Sequence, residues 1–390
     1  MPNGAPETLE PRRQSASFLH RRSRRRYEKG VTMTTALLAQ PDAAVLDEFI
    51  GRMIGDLGAT VSAGLVVLGD RLGLYKAMAD GEPVTAEQLA SRTGTAIAYV
   101  RPWLANQAAG GYLSYQPEFG TFSLSPEQAA ALAIEESPAF FAGAMQLVLG
   151  ALRDLEHIEH GFRTGEGFGW HEHDPNLFDG TERFFRPGYA TNLVESWLPA
   201  LNGVVDKLAT GATVVDVGCG HGSSTVLMAQ AFPASTFVGT DYHEGSIRVA
   251  RRRAAEAGVS GNISFEVADA SELAPNSYDL VAMFDCLHDM GDPASVARAV
   301  RGALREDGTL LLVEPFANDR LEENLNPIGR VFYGGSTLIC TPCSLAQPGA
   351  RALGPQAGPT VLTSLLRDAG FSRVRVASES PVNLIFEARP

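Results

Sequence analysis

Three acidic residues, each at the end of a predicted β-strand, are the side chains of this sequence best suited to bind a ligand. Residues 214–222 read VVDVGCGHG, so a buried strand containing Asp216 runs directly into a glycine loop. Glycine allows the backbone to approach a ligand closely where a strand ends. Asp241 ends the next strand, where it could accept hydrogen bonds from both hydroxyls of a ribose, and Asp269 follows the third, where it could accept from an exocyclic amine.

The spacing of the glycine loop narrows the class of ligand. The loop has the pattern Asp-x-Gly-x-Gly-x-Gly, starting at Asp216. A dinucleotide-binding loop has the pattern Gly-x-Gly-x-x-Gly and lacks an acid two residues before its first glycine. The pattern therefore argues against a nicotinamide cofactor and favours a ligand with a cationic amine and no pyrophosphate at the loop.

A histidine follows the fourth predicted strand. Residues 278–284, YDLVAMF, run into the segment 285–290, DCLHDM, which places His288 just beyond the strand end, and Glu314 ends the following strand. A histidine titrates near neutral pH and can act as a general base. The alternative is that His288 caps a helix or satisfies backbone groups in the core.

Two other segments contain residues that bind metals or undergo redox reactions in other proteins. Residues 170–174, WHEHD, place His171 and His173 two apart with flanking acids, a set that could bind a metal if His288 joined it. No helical pair of histidines or Cys/His quartet supports that interpretation, so we expect substrate contact or loop packing and no metal. Cys340 and Cys343 resemble a redox pair, but we expect them to belong to a loop wall.

Composition and charge limit the possible partners and the compartment. The 390 residues carry a net charge of −13, and residues 1–32 hold seven Arg and one Lys against three Glu, so the remainder is more acidic still. This negatively charged remainder repels phosphate backbones, which makes nucleic acid an unlikely partner. No run of eighteen apolar residues predicts a membrane span, and four irregularly spaced cysteines do not suit a secreted disulfide framework. We expect a cytoplasmic protein without a membrane partner.

The N-terminal third has the pattern of a winged helix. Residues 44–79 show apolar residues at helical spacing, a capping box begins at Thr85, another helix runs towards Ala109, and residues 112–123 alternate as in a hairpin. The third helix would read DNA in a DNA-binding member of this class, but here it carries a single arginine, Arg101. Residues 44–74 have more apolar positions than one helical face needs, which predicts a homodimer.

Predicted strands and helices alternate from residue 211 onward. This order predicts an α/β fold with a doubly wound, mostly parallel, Rossmann-like sheet, which follows the mainly helical winged-helix domain. The expected organisation is a disordered basic leader over 1–32, a winged-helix-like dimerisation domain over 33–135, a helical connector and pocket segment over 136–202, and a ligand-binding domain over 203–390. Within the connector, residues 184–189 are candidates to close over the ligand. Residues 324–338, in the ligand-binding domain, are expected to wall the pocket.

The glycine loop and the three acids resemble the class I S-adenosylmethionine-dependent methyltransferases, from about Gly203 to the C-terminus. This resemblance implies that the loop and Asp216 hold the methionine part, Asp241 the ribose and Asp269 the adenine of S-adenosyl-L-methionine. The residues expected to bind this cofactor are Asp216, Gly218, Cys219, Gly220, Asp241, Tyr242, Asp269, Ala270, Phe284 and Asp285.

The segment that contains His288 is similar to one in the caffeate-type and bacterial small-molecule O-methyltransferases, although Met290 stands where those enzymes usually have Trp. The similarity implies that His288 is the general base, that Glu314 orients it, and that the winged-helix domain dimerises. The expected function is methyl transfer from S-adenosylmethionine to a small-molecule acceptor, with a hydroxyl favoured. Transfer to carbon or nitrogen remains open, as does a winged-helix transcriptional regulator that senses S-adenosylmethionine.

Overall fold

The computed structural model describes residues 41–390, so the predicted leader over 1–32 lies outside the described residues. The chain divides into two compact units, residues 1–55 and 56–390. The described part of the first unit is the beginning of a long helix, and the second unit contains the sheet and the cavity discussed below. The predicted domain boundaries are not tested by this division and stay predictions.

The N-terminal region is helical and ends in a small hairpin. Its helices are α1 (Ala43–Arg71), α2 (Ala86–Thr93), α3 (Ile97–Ala109) and α4 (Pro126–Leu132), and the antiparallel strands β1 (Ser114–Gln116) and β2 (Thr121–Ser123) lie between α3 and α4. The predicted capping box is present, because the Thr85 hydroxyl accepts from the Gln88 backbone N–H while the Gln88 side chain accepts from the Thr85 N–H. The helix–helix–helix–hairpin order of a winged helix is therefore confirmed.

Helix α1 is the one helix of residues 41–390 that is long and apolar enough, by length and composition, to cross a membrane. Its mean hydropathy over the most apolar eighteen-residue window is 1.3. Many of its large apolar side chains are exposed, among them Phe49, Met53, Leu57 and Val61. A helix that packs in a subunit interface can match a membrane-spanning helix in length and composition, because it also exposes large apolar side chains in the isolated chain.

Four helices connect the N-terminal region to the sheet: α5 (Ala142–Arg153), α6 (Leu155–Thr164), α7 (Pro175–Asn192) and α8 (Val204–Thr210). Helices α5 and α7 pack unusually closely, which depends on glycine. A Cβ atom added at Gly150 would lie 2.6 Å from the Leu177 backbone nitrogen, and one added at Gly180 would lie 2.3 Å from the Leu147 backbone nitrogen. This close packing fixes the position of α7, whose inner face lines the cavity described below.

The C-terminal half is a seven-stranded sheet with the order β5-β4-β3-β6-β7-β9-β8. Its strands are β3 (Thr213–Val217), β4 (Thr236–Asp241), β5 (Ile263–Val267), β6 (Tyr278–Phe284), β7 (Leu304–Pro315), β8 (Arg373–Glu379) and β9 (Asn383–Arg389). Strands β3 to β7 pair in parallel, and β9 pairs antiparallel with β7 and β8. The doubly wound, mostly parallel sheet predicted from the sequence is confirmed.

Helices α9 (Ser223–Ala231) and α10 (Glu244–Glu256) pack on one face of this sheet, and α11 (Pro293–Ala303) and α14 (Gly358–Asp368) pack on the other. Helices α12 (Pro327–Gly335) and α13 (Thr341–Leu345) lie between β7 and α14 in the chain. Two apolar clusters form the main core, one on each face, with side chains of the same strands alternating between them: Val214 belongs to one and Val215 to the other. Strands β4 and β5 extend the sheet on one side of β3, and β6 lies on its other side. The strand order therefore reverses between β3 and β6, which is where such sheets bind ligands.

Candidate active site

A cavity opens at the carboxyl ends of β3, β4 and β6, at the place where the strand order reverses. Nine of the ten residues predicted to bind the cofactor line it: Gly218, Cys219, Gly220, Asp241, Tyr242, Asp269, Ala270, Phe284 and Asp285. The tenth, Asp216, lies beneath the glycine loop. The fold therefore brings the predicted set together at one edge of the sheet.

The glycine loop has a backbone conformation that suits glycine. Gly218 and Gly220 have φ angles of +72° and +52°, in the left-handed region that other residues rarely adopt. A Cβ atom at Gly218 would also lie 2.9 Å from the Cys286 sulfur. The Gly220 N–H donates to Asp241 Oδ2 over 2.9 Å, so the carboxylate that ends β4 also holds the loop that follows β3.

Asp216 is 1% exposed and is absent from the cavity wall, which differs from the direct ligand contact expected of it. Its Oδ2 accepts hydrogen bonds from the hydroxyls of Ser224, at 2.7 Å, and Thr225, at 2.6 Å, so it fixes the start of α9. Burial raises its pKa to about 6, against the opposing effect of the two hydroxyls. Its Oδ1 is buried without a hydrogen-bond partner among the described residues.

The carboxylates of Asp216, Asp241 and Asp269 suit a cationic ligand with amine and hydroxyl groups. Each oxygen of Asp241 accepts one backbone N–H, from Gly220 or from His243, and keeps a further lone pair for a ligand. Asp269 is exposed at the cavity edge and accepts from the backbone and hydroxyl of Ser271. The unpartnered Asp216 Oδ1, the glycine cradle and these two carboxylates fit S-adenosylmethionine, whose binding roles at individual residues stay predictions.

One face of α7 forms the opposite wall of the cavity. Phe178, Glu182, Phe185 and Tyr189 recur at helical spacing along it, and Trp170 adds a further ring just before the helix. Phe185 was expected from the sequence, because it lies in the aromatic segment 184–189. The contributions of Phe178 and Glu182 were missed, although the i, i+4 spacing of polar and aromatic residues in this stretch was visible.

The segment 324–338, expected to wall the pocket, contributes no lining residue to this cavity. Cys343 and Gln347, further along the chain, line it instead. Residues 327–340 form α12 and a π-helical turn, Ser336–Cys340. Cys343 and Gln347 follow these two elements in the chain. Sequence spacing does not reveal which turn of such a segment faces a ligand.

His288 and Glu314 meet as expected, at the ends of β6 and β7. His288 Nδ1 lies 2.5 Å from Glu314 Oε2, while Glu314 Oε1 accepts the Leu287 N–H over 3.0 Å. Both side chains are buried, with exposed fractions of 3% and 1%. His288 Nε2 lies 3.2 Å from Asp289 Oδ1. His288 is not among the residues that line the cavity, whereas its neighbour Asp289 lines it.

The charges around His288 decide its protonation. Burial alone would lower the pKa of His288, but the carboxylates of Asp289 and Glu314 outweigh it and raise the pKa well above its ordinary value. Asp285, also predicted to bind the cofactor, accepts from the Tyr189 hydroxyl and the Asn383 amide. Burial, followed by repulsion from Glu314, raises the pKa of Asp285 to about 8.

His171 and His173 do not converge with His288. The buried His173 has its Nδ1 2.7 Å from Asp154 Oδ2 and its Nε2 3.9 Å from the Cys343 sulfur, whereas the ring of the exposed His171 lies edge-on against Tyr242. Among residues 41–390 the ligand atoms of these two histidines do not group with those of His288, and the expectation that no metal binds at His171 and His173 stays a prediction.

Comparisons with known proteins agree with this geometry. Residues 208–335 match the model of a methyltransferase domain, and residues 60–134 match that of an Rv2258c-like winged HTH domain. The chain is 29% identical over 351 residues to the O-demethylpuromycin-O-methyltransferase of Streptomyces alboniger, covering 85% of this chain and 86% of that protein.

Solved structures share the fold. A mitomycin 7-O-methyltransferase superposes with a TM-score of 0.63 at 20% identity, covering 89% of this chain and 98% of that one. Human N-acetylserotonin methyltransferase, solved in complex with S-adenosylmethionine, gives a TM-score of 0.62 at 16% identity, over 90% and 99% of the two chains. With its two matching domains, its sheet and its glycine-loop cavity, the chain is an S-adenosylmethionine-dependent methyltransferase with the class I fold and a winged-helix domain before its methyltransferase domain.

Proposed function

We propose that this enzyme is a cytoplasmic, homodimeric O-methyltransferase that acts on a hydroxyl of a small molecule. The observation that carries the proposal is the His288–Glu314 pair, which is buried beside the cavity at the ends of β6 and β7. The name of the relative from Streptomyces alboniger supports oxygen as the acceptor atom. The aromatic face of α7 supports a flat acceptor, since ring faces contact other aromatic groups favourably.

The chemistry needs a base because a phenol, with a pKa of about 10, is mostly protonated at neutral pH. The bound cofactor supplies an electrophilic methyl group on a sulfonium. His288 Nε2 takes the proton of the acceptor hydroxyl, and Glu314, held by the Leu287 N–H, keeps the ring oriented and stabilises the imidazolium that forms. The rings of α7 hold the acceptor in line and exclude water, which contributes by positioning.

We expect S-adenosylmethionine and S-adenosylhomocysteine to bind and to raise thermal stability. At a ligand concentration 100 times the dissociation constant, the free energy of unfolding rises by about 2.7 kcal/mol. Calorimetry and thermal unfolding measure this, with a nicotinamide dinucleotide as the control ligand that should not bind. If millimolar S-adenosylmethionine gave no binding heat and no thermal shift, the proposed function would be wrong.

The acceptor atom is tested by transfer of a labelled methyl group to a panel of phenols, with matched anilines as nitrogen acceptors. We expect label in the phenols and an acid-stable ether in the product. Transfer to the anilines alone would favour the N-methyltransferase alternative, and label on a ring carbon would favour C-methylation.

The pH dependence of turnover is expected to show how the neighbouring carboxylates shift the pKa of His288. Turnover requires neutral His288, so it rises as pH passes through the pKa of this residue, and the raised pKa places that rise above the ordinary value of about 6.5. Asp289→Asn removes one of the two charges, so the rise should move to lower pH. A pH profile of Asp289→Asn that coincides with that of the wild type would contradict this assignment.

We propose that two subunits dimerise through the exposed apolar side chains of α1, such as Phe49, Met53 and Leu57. Light scattering at micromolar concentration should give a dimer, and Leu57→Asp should weaken it because a charge would be buried in the interface. A monomeric wild-type protein would refute the proposal.

Sequence-specific DNA binding by the winged helix is not favoured. The single arginine of α3, Arg101, forms an ion pair with Glu87 at 2.6 Å. Phosphate binding would have to compete with that pair. Specific duplex binding that survives physiological salt would instead support the regulator alternative.

A further inference from the structure

Three side chains that bind transition metals in other proteins meet beside the cavity, away from the two histidines considered in the sequence. They are His288, Asp289 and Cys340, whose ligand atoms all lie within 4.8 Å of one another. His288 and Asp289 belong to a short turn, Leu287–Asp289, after β6, and Cys340 ends the π-helical turn Ser336–Cys340. Isolated π-helical turns occur frequently at functional sites.

The cluster has the supporting contacts of a metal site. Glu314 Oε2 already engages His288 Nδ1 at 2.5 Å, so Nε2, which faces Asp289 Oδ1 at 3.2 Å, is the ring nitrogen left for a metal. A carboxylate on the second ring nitrogen is the usual partner of a metal-binding histidine, because it fixes the ring and makes the other nitrogen more basic. Asp289 Oδ1 is buried and makes no hydrogen bond among residues 41–390, yet it lies 3.2 Å from His288 Nε2, so these two ligand atoms face the same space.

Charge favours a cation at this place. Two carboxylates contact the single imidazole of His288: Glu314 Oε2 lies 2.5 Å from its Nδ1, and Asp289 Oδ1 lies 3.2 Å from its Nε2. A buried excess of negative charge is costly unless a cation compensates it.

We propose that His288 Nε2, Asp289 and the Cys340 thiolate form a binding site for a divalent transition metal, with Zn²⁺ the ion best matched. One sulfur, one imidazole nitrogen and one carboxylate oxygen are ligands that Zn²⁺ accepts in a tetrahedral arrangement. Bond lengths of about 2.0–2.3 Å place tetrahedral ligands about 3.3–3.8 Å apart, so the ligand atoms, now within 4.8 Å of one another, must approach by at most about 1.5 Å. Three protein ligands leave one position open, as in catalytic zinc sites, and Asp289 places the cluster at the cavity wall.

This site and the proposed general base exclude each other, because both use the lone pair on His288 Nε2. A corollary, which rests on the proposed function, is that bound Zn²⁺ inhibits methyl transfer and that a chelator restores it. The metal site itself does not depend on the corollary. Zinc that binds without slowing methyl transfer would therefore overturn the base assignment and leave the site in place.

The site is tested on tag-free, full-length protein that has been dialysed against chelator and then loaded with zinc chloride. After gel filtration, elemental analysis should find one zinc per chain. Cys340→Ser should lower zinc affinity by more than about 100-fold, since loss of a supporting contact alone typically costs 10–100-fold. Cobalt in place of zinc should give a thiolate-to-metal charge-transfer band that Cys340→Ser lacks.

Cys343→Ser is the matched control, because it removes a second buried thiol three residues away that is not one of the three ligands. It should retain one zinc per chain. Asp289→Asn, which preserves side-chain size, should lose zinc affinity independently of any folding defect in Cys340→Ser. Circular dichroism and thermal unfolding establish that each variant is folded. Absence of stoichiometric zinc in the wild type, or equal zinc affinity in wild type and Cys340→Ser, would overturn the proposal.

Discussion

Replacing His288 by Ala or Gln should lower turnover by about 10²–10⁴-fold while leaving affinity for S-adenosylmethionine nearly unchanged. The substitution removes the proton acceptor, whose benefit appears only in the transition state. It leaves in place the glycine loop and Asp241, which are expected to bind the cofactor. Steady-state kinetics on metal-free enzyme, with calorimetry of cofactor binding, separate the two effects.

The residual activity of the variant should also depend differently on pH. Without the imidazole, transfer to a phenol should accelerate only as the phenol itself ionises, near pH 10. His160→Gln is a matched control, since His160 is an exposed histidine paired with Glu166 and is not among the residues that line the cavity. Full turnover of His288→Gln at neutral pH would show that the acceptor is already nucleophilic, for example a neutral amine or an enolate.

Asp241→Ala should weaken cofactor binding by at least about tenfold and up to about 100-fold for each hydrogen bond to the ribose that is lost. This estimate follows from about 1.5–3 kcal/mol for a hydrogen bond to a charged acceptor. Asp241 lines the cavity with each oxygen held by one backbone N–H, from Gly220 or His243, so the carboxylate is fixed before the ligand arrives. Its loss would also release the Gly220 N–H and loosen the glycine loop.

Two further variants separate these contributions. Asp241→Asn keeps an acceptor oxygen and should lose less affinity than Asp241→Ala. Asp269→Ala is the comparison within the same cavity, and because Asp269 is exposed and its hydrogen bonds compete with water, the loss should be smaller. An unchanged dissociation constant for Asp241→Ala in calorimetry would remove this residue from the cofactor site.

The sequence alone determined the sheet and the edge of the sheet at which the cavity lies. Residues 213–217 and 278–284 form strands with the predicted bounds, and the Thr85 capping box begins a helix as expected. These features depend on local patterns: continuous apolar runs for buried parallel strands, and side chains that bond to backbone groups three residues away. Because parallel strands end at one edge, Asp241 and Asp269 could be placed together before any contact was known.

The tertiary structure alone decided which of the remaining side chains reach the cavity and how they are charged. Asp216 matched the expected motif but lies under the loop, because the hydroxyls at the start of α9 hold its carboxylate. Cys340 lies against His288 and Asp289 although more than fifty residues separate them, and His173 lies with Asp154 and Cys343 instead. Such contacts arise from how helices pack over the sheet, and sequence periodicity gives the inward face of each element without giving its partner across the core. Protonation depends on burial and neighbouring charge, so the raised pKa of His288 is also a property of the folded chain.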